Sequence, residues 1–191
     1  IKRITAAVTA LSENKIKLDC KVCQLVKLYK NGEPYKMSKR AGEFISAQDL
    51  LKEVEKDQIR FMMLNRSNDV ELDFDFDKVK AKSKENPVFY VQYAYARIHS
   101  LLETLNLSLL KNVELNENNI NFNIIEEKII RKVLEWPKII ESSLRQFDLH
   151  KIPFYLYELS TLFHAYWSKG NENKDYKFIE KNKIKRNEIL L

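Results

Sequence analysis

The sequence predicts a mainly α protein, an all-α helix bundle preceded by a small α/β segment. Three observations predict it. The 191 residues include only 3 Gly and 4 Pro, too few for an all-β fold built on tight turns. Strand signals occur only in the first 85 residues. From residue 88 onward the apolar residues recur with helical periodicity and almost no strand signal. The chain therefore divides into two regions, 1–85 and 86–191. With 45% hydrophobic and 31% charged residues the balance is globular, which excludes wholesale disorder.

Residues 2–12 read as a short helix with Ile4, Val8 and Leu11 on one stripe. Residues 17–29 are rich in Val and Leu and alternate in part, as a strand would. They run into Asn31-Gly32, a two-residue hairpin signal because both residues tolerate positive φ. Ser46 with Asp49 three residues on fits a capping box, opening a helix through Leu50, Leu51 and Val54. A second helix is expected over 58–66, carrying Ile59, Phe61, Met62 and Met63. Residues 72–77 alternate strictly, Leu72, Phe74 and Phe76 against Asp73, Asp75 and Asp77, so an extended chain here has one apolar and one acidic face.

In the second region Val91, Ala94, Ile98, Leu101, Leu102 and Leu105 form one stripe of a long helix. The Asn-rich stretch 106–123 reads as a loop. Further helices are expected over 124–136, 138–147 and 153–167, and from 174 onward. Pro137 and Pro153 fall in first turns, where a missing N–H costs nothing. The last helix is expected to reach Ile189, Leu190 and Leu191, an apolar end that needs a partner.

The net charge is +6, and its placement is uneven. Between Asn14 and Arg40 lie eight basic residues, Lys15, Lys17, Lys21, Lys27, Lys30, Lys36, Lys39 and Arg40, against Asp19 and Glu33. That segment alone equals the net charge of the whole chain. A field concentrated on one hairpin and its following loop suits a polyanion, and a solvated hairpin with lysine-protected edges is the plain alternative. From Asn86 onward fifteen basic residues face thirteen acidic ones, so the helical region is nearly balanced.

Lys36-Met37-Ser38-Lys39-Arg40 lies between the hairpin and the next helix. Mobile cations on such a loop suit a triphosphate or a departing pyrophosphate, because an ammonium can follow charge that grows in the transition state. A short basic loop of this kind is also common as solvated surface. On the next region Tyr90, Tyr93 and Arg97, spaced i, i+3 and i+7, fall within about 60° on a helix. Phe163 and Trp167 share a face of another helix at i, i+4, with Tyr166 adjacent. Half-exposed aromatics beside basic groups suit unstacked RNA bases; packing within a bundle is the alternative for the same rings. Arg97, Lys169, Lys174, Lys177, Lys181, Lys185 and Arg186 are candidate phosphate contacts or ordinary surface charges.

The string Lys36 to Arg40 resembles the KMSKS-type signature loop of class I aminoacyl-tRNA synthetases. With Ala41-Gly42, Asp49-Leu50, Gln58-Ile59-Arg60-Phe61, Leu72-Asp73-Phe74-Asp75 and Glu85-Asn86-Pro87-Val88-Phe89-Tyr90-Val91-Gln92-Tyr93-Ala94-Tyr95-Ala96-Arg97, the order resembles the arginyl-tRNA synthetase family. The resemblance implies a class I Rossmann catalytic domain of which residues 1–85 are the C-terminal part, followed by an anticodon-binding bundle over 86–191 that lacks its last helix. It implies an arginine–tRNA ligase that joins arginine to ATP, brought in as its magnesium complex, and transfers it to the arginine tRNA. It implies Lys39 on the departing pyrophosphate, with Lys36 and Ser38 holding the loop closed and Met37 and Arg40 completing the ATP site. It implies tRNA contacts at Tyr90, Tyr93, Arg97, Phe163 and Trp167. Arg40 stands where the signature ends in Ser, and Trp167 departs from many bacterial sequences.

No His-Ile-Gly-His-like string is present, and His99, His150 and His164 all lie in the helical region. The expectation is an interior piece of a longer enzyme, unable to make arginyl-adenylate alone. The expected location is the cytoplasm, with no membrane or DNA partner. Two cysteines exclude a disulfide scaffold and suit a reducing compartment. No apolar run approaches the roughly 20 residues that span a bilayer, and residues 1–11 show no signal-peptide cleavage site. No protein-bound metal is expected, because Cys20 and Cys23 supply two ligands with no second pair. The aspartates at 73, 75 and 77 lack the calcium-loop spacing, and the histidines read as core or rim residues. The competing functions are a non-catalytic helical RNA-binding module, which has no use for a phosphate-tracking loop, and a protein-interaction bundle whose aromatics are all buried.

Overall fold

A computed structural model describes residues 1–35, 45–104 and 122–177, together with the short strands β4 (Ile179–Glu180) and β5 (Lys183–Ile184). Residues 36–44, the stretch 105–121 and the last apolar residues, 189–191, lie outside the described residues. The chain opens with α1 (Lys2–Leu11), which buries none of its residues; Ile4 and Leu11 face solvent. Residues 15–25 carry no helix or strand. The expected strand over 17–29 is therefore shorter, β1 (Val26–Lys30), and pairs with β2 (Glu33–Pro34) through Asn31-Gly32. Asn31 (φ 55°) and Gly32 (φ 77°) both take the left-handed conformation that a two-residue hairpin loop requires.

Ser46 caps α2 (Ala47–Glu53) as expected: its hydroxyl accepts from the Asp49 N–H, and the Asp49 carboxylate accepts from the Ser46 N–H. Lys52 and Ser46 hold the Asp49 carboxyl down at about 2. Helix α3 (Lys56–Leu64) follows. Strand β3 (Leu72–Asp75) pairs in parallel with β1, giving a three-stranded sheet of order β2-β1-β3. The alternation is real but shorter than expected. Asp75 accepts from the N–H groups of Asp77 and Lys78 and turns the chain into α4 (Phe76–Lys80). Leu28, Leu50, Val54, Phe74, Phe76 and Val79 form the buried core beneath this sheet, with Phe74 and Phe76 edge-on at 5.5 Å.

Asn86 joins this region to α5 (Pro87–Thr104). Its buried amide donates to the carbonyls of Val79 and Ala81, and its carbonyl accepts from the Val88 N–H. On α5 the buried positions are Val88 and Ala94, while Ile98 and Leu102 of the expected stripe are exposed. Three further helices follow: α6 (Ile124–Leu134), α7 (Trp136–Gln146) and α8 (Lys151–Glu172). Pro137 lies in the first turn of α7 and Pro153 in that of α8. Phe147 ends α7 in the left-handed conformation. Helix α8 packs against α5, α6 and α7. Buried Tyr166 on α8 donates to Glu126 Oε1 at 2.7 Å, and the other oxygen of Glu126 accepts from the Asn123 N–H that opens α6. The helix expected from 174 onward does not form over the described residues. Asn173 takes an extended conformation, its side chain caps the Asp175 N–H, and a 3-10 turn (Lys174–Tyr176) leads into the β4–β5 pair.

Candidate nucleic-acid interface

Helices α5 and α8 bring together all five aromatic and basic residues expected to meet tRNA. Tyr90, Tyr93 and Arg97 share one face of α5 because of their i, i+3, i+7 spacing, and Phe163 and Trp167 share a face of α8. Arg97 joins the two. Its Nη2 donates to the Tyr93 hydroxyl at 2.8 Å, and its guanidinium carbon lies 4.2 Å from the Tyr93 ring centre and 4.9 Å from that of Trp167. A guanidinium held against two aromatic rings gains cation–π attraction from both and leaves its charge at the rim.

The rings differ in exposure. Tyr93 is 43% exposed, Tyr90 and Trp167 are half-buried, and Phe163 is only 8% exposed. Tyr93 has a stacked neighbour in Phe89 at 5.8 Å, and Tyr90 packs on Tyr157 at 5.3 Å. Phe163 lies beneath the cluster, 5.9 Å from Trp167 and 5.7 Å from His164. Its ring packs against half-buried Trp167 and buried His164.

His164 is the member of the cluster that the sequence did not single out. Its ring is buried between the two helices, 4.4 Å from Tyr90 and 5.6 Å from Tyr93. Arg97 Nη1 donates to its Nδ1 at 3.3 Å, and its Nε2 donates to the Tyr90 carbonyl at 3.1 Å. Burial lowers its pKa from the usual 6.5.

The basic segment contributes less free charge than its composition suggests. Lys27 pairs with Glu71, Lys30 with Glu53 at 2.8 Å and Lys21 with Asp148 at 3.0 Å, all acids from outside the segment. Lys15 and Lys17 pair with Glu13 and Asp19. Lys36, Met37, Ser38, Lys39 and Arg40 lie outside the described residues. Of the other candidate phosphate contacts, Lys169 covers the Tyr176 ring at 4.1 Å, Lys174 and Lys177 are exposed, and Lys181, Lys185 and Arg186 lie outside the described residues. Cys20 and Cys23 are exposed thiols in the segment that forms no helix or strand. No helix among the described residues is long and apolar enough to cross a membrane.

Among known proteins, the chain is 52% identical over its whole length to an arginine–tRNA ligase of Pelagibacter ubique, covering 33% of that protein. It is 47% identical over 184 residues to one from Ruegeria pomeroyi, covering 94% of this chain and 32% of that one. A crystal structure from Campylobacter jejuni, provisionally described as an arginyl-tRNA synthetase, superposes with a TM-score of 0.76 at 28% identity, covering 98% of this chain and 39% of the other. The chain thus spans about a third of the length of the curated relatives it matches. The model of the DALR anticodon-binding domain matches residues 91–191, which include Tyr93, Arg97, Phe163, His164 and Trp167, and the chain belongs to that family.

Proposed function

We propose that the chain is the signature-loop and anticodon-binding part of an arginine–tRNA ligase, acting in the cytoplasm on arginine, ATP as its magnesium complex, and the arginine tRNA. Residues 86–191 form the anticodon-binding domain, and residues 1–85 the end of the catalytic domain. The observation that carries the reading is the layered Tyr93–Arg97–Trp167 surface on α5 and α8, within a region that matches an anticodon-binding family. Two rings that share a cation offer an unstacked anticodon-loop base a stacking surface and its phosphate a counter-charge. Tyr90 packs on His164, and Phe163 packs on both His164 and Trp167, behind that surface. On the catalytic side, Lys39 stabilises the departing pyrophosphate. Lys36 and Ser38 hold the loop over it, and Met37 and Arg40 complete the ATP contacts.

The test is the affinity of a Tyr93→Ala protein for the arginine tRNA at fixed salt. Loss of one stacked base costs about 1–3 kcal/mol, a roughly five- to 150-fold weaker Kd. Affinity equal to that of the unaltered protein sinks the reading. Phe163 is buried, as a bundle whose aromatics serve only packing would have it. Such a protein-interaction bundle would show the same Tyr93→Ala stability and no tRNA dependence on Tyr93.

A further inference from the structure

We infer that His164 is a positioning residue for RNA binding, acting through Arg97: its neutral ring holds the guanidinium against the rings of Tyr93 and Trp167. The inference rests on the RNA-binding reading above and assigns that site a dependence on pH.

The hydrogen-bond partners determine the state of the ring. Arginine can only donate, so His164 Nδ1, 3.3 Å from Arg97 Nη1, must offer a lone pair. A backbone carbonyl can only accept, so His164 Nε2, 3.1 Å from the Tyr90 oxygen, must carry the hydrogen. Both conditions are met by one neutral tautomer and by no other form. The ring therefore bridges α5 to α8 at two points, one on the backbone and one on the functional cation. Among the described residues, the other anchors of Arg97 are the Tyr93 hydroxyl and the faces of two rings. Ring faces restrict its height but leave it free to slide in their plane, whereas the bonds to Nδ1 and to the phenol fix it in that plane.

Protonation would place a hydrogen on Nδ1 directly against the guanidinium. The bond would be lost and two like charges would face each other across the same 3.3 Å. Among the described residues, the titratable and charged groups facing the ring are Arg97, Tyr90 and Tyr93 on α5, with Tyr157 on α8 beyond Tyr90. No carboxylate contacts the ring among the described residues. Burial is the main cause of the lowered pKa and the charge of Arg97 acts in the same direction, while the bond to Tyr90 opposes them. The sign follows: the positioning is intact above the usual 6.5 and is lost as the pH falls through the lowered value.

The test compares the unaltered protein with His164→Phe and His164→Gln by tRNA affinity from neutral to acid pH at one salt concentration. Phenylalanine keeps the shape and removes both polar atoms, and affinity at neutral pH is expected to fall about tenfold. Glutamine can donate to Tyr90 and accept from Arg97 without titrating, so it is expected to recover most of that loss. It should also escape the extra acid weakening of the unaltered protein. A His164→Phe protein that binds normally, or a His164→Gln protein with the same acid profile as the unaltered one, overturns the inference. Should His164→Phe fail to fold, nitrogen NMR of the ring in the free protein decides separately: an Nε2-protonated neutral ring is expected, and an Nδ1-protonated or charged ring at neutral pH overturns it. If Tyr93→Ala has no effect on tRNA, the RNA-binding reading falls and this inference with it. If Tyr93→Ala weakens binding and the His164 variants do not, this inference alone falls.

Discussion

Asn86 stands at the joint between the sheet region and α5, and all the polar atoms of its amide group are employed. Two N–H donors reach the carbonyls of Val79 and Ala81 at 2.8 and 2.7 Å, and its oxygen accepts from the Val88 N–H at 3.1 Å. A buried carbonyl stripped of its donor costs about 1–3 kcal/mol. Asn86→Ala is therefore expected to lower the unfolding free energy by about that amount in urea titration. Asn86→Asp is expected to cost more, because it turns an acceptor towards two carbonyls in a buried site. An Asn86→Asp protein as stable as the unaltered one would mean that the joint opens in solution. At this same scale, spacing alone grouped Tyr90, Tyr93 and Arg97, since positions on one helix share a face by geometry. It could not reveal His164. The partner that gives that ring its role lies 67 residues away, and a lone histidine on a helix carries no local mark of such a contact.

Elements governed by neighbouring residues were legible, and those that depend on distant partners were less so. The Ser46–Asp49 box and the Asn31-Gly32 loop are local chemistry, and both form. Periodicity grouped Ala94 with Ile98 and Leu102 on α5, yet it says which residues share a face and not how far a neighbour covers it. Only Ala94 of those three is buried. After α8, apolar and lysine residues suggested another helix, but Asn173 offered its side chain to the Asp175 N–H and turned the chain instead. That turn folds back onto α8 at Gly170. A Cβ there would lie 2.7 Å from the Tyr176 carbonyl oxygen and 3.3 Å from Lys177 Cα, so the backbone itself would have to move. Gly170→Ala gains about 1 kcal/mol of helix propensity. The clash costs about 1–3 kcal/mol. Net destabilisation is expected, together with loss of the edge-on Tyr166–Tyr176 contact, read from near-ultraviolet circular dichroism and the melting temperature. A more stable Gly170→Ala protein would show that the 3-10 turn is not docked on α8.

Across the whole molecule, part of the excess charge of the first region ties the chain together among the described residues. The +6 segment from Asn14 to Arg40 suggested a polyanion surface, but Lys21, Lys27 and Lys30 each meet an acid brought from elsewhere in the chain. Composition counts charges and cannot count their partners, so this part of the reading had to wait for the fold. Lys21 makes the longest of these connections. It sits in the irregular segment 15–25 and reaches the end of α7, donating to the Gln146 carbonyl at 3.1 Å and to Asp148 at 3.0 Å. A cation at a helix C-terminus satisfies a free carbonyl and complements the negative end of the helix dipole. The contact thus ties the first region to the bundle at a point far in sequence from the Asn86 joint. Lys21 is also the largest cause that lowers the Asp148 carboxyl below its usual 3.8. The tie is therefore complete above that value and lost as the pH falls through the lowered one. Lys21→Ala is expected to raise the Asp148 pKa towards 3.8, measured by carboxyl NMR. It should also speed proteolysis within 15–25 while changing the melting temperature little, because an exposed pair adds little to global stability. An unmoved Asp148 pKa would mean that the segment does not reach α7 in solution, and that Asn86 and the packing of α3 on α5 join the two regions without this tie.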